Sequence, residues 1–250
     1  MSEEAFQQYL AQARGDPDVI GIVLTGSHAL GLATPDSDYD ARTILRDDAG
    51  PEAVTRYDET TFPGVDAGGG TLADFKTWGA WDSADAWDRY SYTHALVLHD
   101  PTGVIAPLVA EKGRVPDEHQ QGFVDGALDA FINSDYRSLK CARRRNALCV
   151  HMEAVEAVRH ALVVLFGLEG RMAPFPVYLQ HELRAYPLAS SPLAGDELLD
   201  LLSAIVGRAD TVALQRLLAT IVAHGREAGH QEIIDSWGDD LTWMLTFQPD

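Results

Sequence analysis

The spacing of apolar residues changes partway along this chain, and that change limits the folds open to it. Before about residue 117 the apolar runs are short and punctuated. Phe6, Tyr9, Leu10 and Ala13 recur at helical spacing and stop before Gly15-Asp16-Pro17. Val19 to Thr25 then reads as a buried strand rich in β-branched residues, and Asp38 to Leu45 as a second, closed by Asp47-Asp48-Ala49-Gly50-Pro51. Residues 55 to 67 are expected to hold a third strand ahead of Gly68-Gly69-Gly70, with Leu72 to Trp81 and Asp85 to Leu98 helical or mixed. From about Asp117 the apolar positions recur every three or four residues, over Phe123 to Phe131, Tyr136 to Phe166, Tyr178 to Ala185, Glu197 to Val206 and Thr211 to Ala228. The expected fold class is α+β: a mixed β-sheet with flanking helices over residues 1–115, then a helical bundle over residues 116–250.

Charge narrows the partners. The 250 residues carry 38 acidic and 19 basic side chains, a formal net charge of -19, which repels a long polyanion. Duplex nucleic acid is therefore not expected to bind. Residues 1–133 hold 23 acidic and 8 basic side chains, leaving 15 and 11 for residues 134–250. Five of those 11 crowd into Arg137, Lys140, Arg143, Arg144 and Arg145, room for a few phosphates but not for a duplex.

Cys141 and Cys149 lie eight positions apart on what reads as one helix, so their backbones should stand roughly 12 Å apart at a rise of about 1.5 Å per residue. They are not expected to pair. With no Cys-x-x-Cys and no basic-then-apolar start, a reduced, cytoplasmic protein is expected. The apolar stretch Ala157 to Leu168 is interrupted by Arg159 and His160 and is too short for a bilayer, so no membrane segment is read.

The chemistry concentrates in Gly26-Ser27, ten residues, then Asp38-Tyr39-Asp40. Two carboxylates two apart on a strand leave the same face, with Cα atoms about 6.6 Å apart, close enough to share a divalent ion. A hard cation such as magnesium takes oxygen ligands and keeps positions open for phosphate oxygens. Gly26 allows close backbone approach, and the Ser27 hydroxyl and amide can donate to a phosphate. Phosphoryl transfer then needs mainly positioning and neutralised charge.

The run Gly26-Ser27-His28-Ala29-Leu30-Gly31-Leu32-Ala33-Thr34-Pro35-Asp36-Ser37-Asp38-Tyr39-Asp40 resembles the active-site signature of the DNA polymerase β-like nucleotidyltransferases, especially their small bacterial members. The resemblance implies that Gly26 and Ser27 grip a triphosphate, that Asp38 and Asp40 hold two metal ions, and that a third carboxylate on a neighbouring strand completes the set. Asp66, in Val65-Asp66-Ala67, fits that third place best, ahead of Asp74 and Asp58. More loosely, the second half resembles the helical domains of kanamycin and lincosamide nucleotidyltransferases, through Glu153 to Val158 and Leu165 to Arg171. That likeness implies a carboxylate acting as general base on an acceptor hydroxyl, for which Glu153 and Glu156 are candidates. Arg137, Lys140 and Arg144 share a helical face able to meet phosphates, with Lys140 and Arg144 the expected contacts.

Other signals fail. His151-x-Glu153 lacks the downstream Pro-Cys-x-x-Cys of zinc deaminases, and His181-Glu182 lacks the second histidine of a zincin. Ser27-His28 has no oxyanion motif, and Gly68-Gly69-Gly70 lacks the Gly-Lys-Ser/Thr of a P-loop. The expectation is a magnesium-dependent transferase that moves a nucleoside monophosphate, AMP in the first instance, from ATP or another nucleoside triphosphate to a small-molecule hydroxyl in a cleft between the two parts. The rivals are transfer to a protein or RNA end, and a non-catalytic nucleotide-binding protein. Base preference and oligomeric state are not legible.

Overall fold

The computed structural model describes residues 3–57 and 62–248, in two units, Met1–Arg114 and Val115–Asp250. In the first, α1 (Glu3–Gly15) buries Phe6, Tyr9, Leu10 and Ala13, the face its spacing predicts. It leads into β1 (Val19–Leu24), the short α2 (Gly26–Ala29), β2 (Tyr39–Leu45), α3 (Pro51–Thr55), β3 (Val65–Thr71) and α4 (Leu72–Thr77). A 3-10 segment (Ala86–Tyr92), β4 (Leu96–His99) and α5 (Ile105–Lys112) complete it. The sheet runs β3-β2-β1-β4, with β1 antiparallel to β2 and β4, and β3 parallel to β2.

Side-chain alternation sorts this sheet into two faces. Ile22, Leu24, Tyr39, Ala41, Leu45, Val65 and Ala67 pack with Phe6, Tyr9 and Leu10 of α1. Tyr9 OH and Thr43 Oγ1, both buried, are hydrogen-bonded at 2.5 Å and tie α1 to β2. On the other face Val23 and Ile44 pack with Phe75, Tyr92, Ile105 and Val109. That apolar patch covers only part of the face, leaving the β2 end that carries Asp40 to polar groups.

The third strand lies further along than residues 55 to 67, and it takes in all three glycines. Bare backbone suits this edge strand, because a Cβ at Gly69 would run into the carbonyl of Val54 in α3. The stretch expected to be helical or mixed resolves into α4, the 3-10 segment and β4.

The second unit is all helix: α6 (Asp117–Arg143), α7 (Ala147–Gly167), a 3-10 turn (Pro176–Tyr178), α8 (Leu179–Ala185), α9 (Gly195–Arg208), α10 (Thr211–Glu227), α11 (Gln231–Asp235) and α12 (Gly238–Thr246). Its core joins Leu128 and Phe131 of α6, Leu165 and Phe166 of α7, Leu202 of α9 and Leu217 of α10. Gln120 Nε2 donates to the carbonyls of Gly167 and Leu168, satisfying acceptors that the end of α7 leaves open. None of the helices described is long and apolar enough to cross a membrane.

Tyr136 to Phe166 is two helices rather than one. The chain reverses at Arg145, whose φ of 54° is left-handed, and the Asn146 side chain accepts a hydrogen bond from the Cys149 amide to cap α7. Ser138 Oγ donates to the Val150 carbonyl across the hairpin. The reversal corrects the expectation for the cysteines: Cys141 and Cys149 form a disulfide, their Cα atoms 5.7 Å apart. The 12 Å separation holds only for an unbroken helix, and the reduced state inferred from it falls with it.

Candidate active site

The site is built where β1 ends. The Thr25 amide donates to the Asp40 carbonyl at 2.9 Å, extending the pairing of β1 with β2 by one residue. At Gly26 the chain takes a φ of 65°, open to glycine at little cost, and turns so tightly that a Cβ there would overlap the Asp40 carboxylate. Ser27 follows at once, half-buried, its carbonyl accepting from the Leu32 amide at 2.8 Å. His28 lies ring-on-ring against Tyr39, centroids 3.6 Å apart, and Tyr39 stacks in turn on Phe6 at 4.0 Å. The Tyr39 hydroxyl donates to Glu3 at 2.6 Å, which pushes the phenol up to about 12. This column of three rings clamps the Gly26-Ser27 turn to β2 and α1.

Asp38 precedes β2 and is exposed, Asp40 lies within it half-buried, and both belong to the same face by alternation. Asp66 on β3 is the register partner of Asp40 in the parallel pair and is exposed. Burial pushes the Asp40 carboxyl up, reinforced by the charges of Asp38 and Asp66, with His28 opposing and Asp88 adding to the rise. The chain thus gathers negative charge on one partly desolvated edge.

The remaining candidates fall elsewhere. Asp74 closes a capping box with Thr71 at the start of α4, so its oxygens serve that helix. Asp58 lies outside the described residues. Lys140 sits 4.7 Å over the Tyr136 ring on α6, and Arg144 is exposed just past that helix. Glu153 is half-buried on α7, while Glu156 is exposed and pairs with Arg159 at 3.6 Å. These four belong to the second unit, and Asp38, Asp40, Asp66, Gly26 and Ser27 to the first.

Three residues on the carboxylate face went unread in the sequence. Arg42 follows Asp40 by two on β2, and its guanidinium lies 4.7 Å from the centre of the Trp78 ring. Trp78 Nε1 donates to Asp88 at 2.8 Å, and Ser91 donates to the other oxygen of Asp88 at 2.6 Å. Arg42 was accessible in principle, since the two-residue alternation that pairs Asp38 with Asp40 continues to it. Trp78 and Asp88 come from irregular chain that only folding brings near.

Asp38, Asp40 and Asp66 are all oxygen donors, the set a hard divalent cation takes, and Asp40 sits in a field that a cation would relieve. Among the described residues no three His, Cys, Asp or Glu side chains are already drawn together tightly enough to hold a metal. The donors fit magnesium by chemistry and by shared face.

A mixed sheet with a glycine-serine turn against paired strand carboxylates, and helices to follow, is the arrangement that the resemblance to the DNA polymerase β-like nucleotidyltransferases implies. Residues 5–62 match the model of the nucleotidyltransferase domain family. A search of curated proteins finds no match. Among solved structures the chain is similar to the crystal structure of a nucleotidyltransferase-like protein from Exiguobacterium sibiricum 255-15, at 15% identity and a TM-score of 0.45, over 96% of this chain and 78% of that one.

Proposed function

We propose that this chain transfers a nucleoside monophosphate, AMP in the first instance, from a nucleoside triphosphate to a hydroxyl of a small molecule and releases pyrophosphate. The observation that carries the reading is the pairing of Asp40 with Asp66 across β2 and β3, with Asp38 on the same face and Gly26-Ser27 against Asp40. In the reaction the acceptor oxygen bonds to the α-phosphorus while the bond from that phosphorus to the bridging oxygen of the leaving pyrophosphate breaks. Asp38, Asp40 and Asp66 would hold magnesium, two ions in the reading taken here. When bound, magnesium neutralises phosphate charge and aligns the reacting oxygens. Ser27 donates its hydroxyl to a phosphate oxygen, and the bare Gly26 lets the backbone approach.

The net charge of -19 favours a small acceptor over RNA. Glu153 as acceptor base, which rests on likeness to antibiotic nucleotidyltransferases, and Lys140 and Arg144 as phosphate contacts, which rest on their shared helical face, belong to the same proposal. The cytoplasm as the compartment, where nucleoside triphosphates are supplied, belongs to the same proposal. Titration of ATP with and without magnesium tests the reading: tight binding that needs magnesium and is abolished by Asp40→Asn supports it. Equal binding by that variant would sink the metal assignment. Labelled ATP incubated with aminoglycosides, lincosamides, tRNA and protein then identifies the acceptor.

A further inference from the structure

The carboxylate face carries a cation that the reading above does not use. Alternation along β2 places Asp40, Arg42 and Ile44 on one face, and the antiparallel register sets Arg42 beside Val23. Ile44 and Val23 are buried in the apolar patch, so Arg42 stands between that patch and the carboxylates. It is half-buried. Among the described residues its guanidinium has no hydrogen bond or ion pair; it lies 4.7 Å from the centre of the Trp78 ring, within electrostatic reach of the Tyr92 phenol and the Lys112 ammonium. A guanidinium carries five N–H donors in a flat fork, and stacking on a ring uses none of them. Withdrawing such a group partly from water without an acceptor is costly, which leaves it suited to an incoming anion.

The platform beneath it is held in place. The Trp78 amide donates to Asp74 at 2.9 Å, its carbonyl accepts from the buried Lys112 ammonium at 2.5 Å, and its indole N–H is bound by Asp88. Lys112 also donates to the Lys76 carbonyl, and Arg89, fully buried, donates to the carbonyls of Gly79, Glu111 and Arg114 and pairs with the Glu111 carboxylate at 3.0 Å, so both already have acceptors. Arg42 has none among the described residues. Space is available beside it: Gly68 is its register partner on β3, and a Cβ built there would meet nothing within 4 Å.

We propose that Arg42, braced on Trp78 beside the Asp38-Asp40-Asp66 carboxylates, binds phosphate oxygens of the triphosphate tail and of the pyrophosphate that leaves. The inference rests on the nucleotidyl-transfer reading. Charge logic supports it, because Asp38, Asp40, Asp66 and Asp88 all act on a face that must admit a polyanion, and Arg42 is a cation on it with a free fork.

The test compares wild type with Arg42→Gln, Arg42→Lys and Asp40→Asn for magnesium-dependent binding of a non-hydrolysable ATP analogue, inorganic pyrophosphate and AMP. Arg42→Gln should weaken the analogue and pyrophosphate about 10- to 100-fold, and AMP less than about twofold. Arg42→Lys keeps charge and length but loses the fork, and should fall between; it carries the test if melting shows Arg42→Gln unfolded. Unchanged pyrophosphate affinity in both Arg42 variants, with Asp40→Asn still losing magnesium dependence, overturns the Arg42 assignment alone. Loss of AMP binding equal to that of pyrophosphate, or a raised KM for the acceptor with nucleotide binding intact, also overturns it by moving the anion elsewhere. A wild type that binds no nucleotide with magnesium overturns both readings.

Discussion

Gly26 and Asp40 compete for one space: the Asp40 carboxylate occupies the position that a Cβ on residue 26 would fill, and residue 26 has a left-handed φ of 65°. Replacing Gly26 with Ala would displace the carboxylate and strain the turn together. We expect Gly26→Ala to lower turnover at least about 100-fold while costing roughly 1–2 kcal/mol of stability. Turnover and thermal melting, measured side by side, check this; a variant as active as wild type would show that the carboxylate can stand elsewhere.

Asp66 and Asp74, eight residues apart, should behave differently. Asp66→Asn removes a charge beside Asp40 and is expected to cut turnover by about 100-fold or more with little change in melting. Asp74→Asn removes the acceptor of the Thr71 capping box and should cost about 1 kcal/mol of stability with turnover nearly intact. The reverse pattern would transfer the third-ligand role to Asp74.

Asp135 lies fully buried in α6 with neither carboxylate oxygen hydrogen-bonded, and burial holds its carboxyl well above the usual range. In the unfolded chain it ionises near about pH 4, so above that pH the unfolded state binds fewer protons than the folded one, and stability falls as pH rises towards the folded value. Asp135→Asn should therefore unfold about 1–3 kcal/mol later in urea at pH 7, the gain shrinking towards pH 4. A variant less stable than wild type at pH 7 would mean that the carboxylate is ionised and paired.

Reduction of the Cys141–Cys149 bond opens a small loop that holds the α6–α7 hairpin closed. Chain entropy gives a loss of about 2–3 kcal/mol for a loop of this size. Thiol titration in denaturant should count no free thiol before reduction and two after, and urea unfolding should show the loss. Two free thiols in protein purified without reductant would remove the bond from the native state.

Local chemistry made part of this molecule legible in advance. A β-branched run before Gly26-Ser27, and Asp38 and Asp40 at strand spacing ahead of a second run, are patterns of period two, and such patterns survive whatever the strands pack against. The helical second half is legible for the same reason, since a period near 3.6 over many residues has few other outcomes. Asp66 was only one of three choices, because Val65-Asp66-Ala67-Gly68-Gly69-Gly70 has the composition of a loop. What makes it a strand is backbone pairing with β2 at the sheet edge and the close pass of α3 over Gly69, neither of which has a local signal.

The sequence by itself determined the paired aspartates, the turn before them and the change from sheet to helices, all set by neighbours a few residues apart. Tertiary structure alone decided that Asp66 faces Asp40, that Arg42 rests on a Trp78 held by Asp88, and that a reversal at Arg145 joins two cysteines a continuous helix would separate. Each depends on groups distant in sequence or on a break in a periodic run, and such positions are fixed by how the whole chain packs rather than by local propensity.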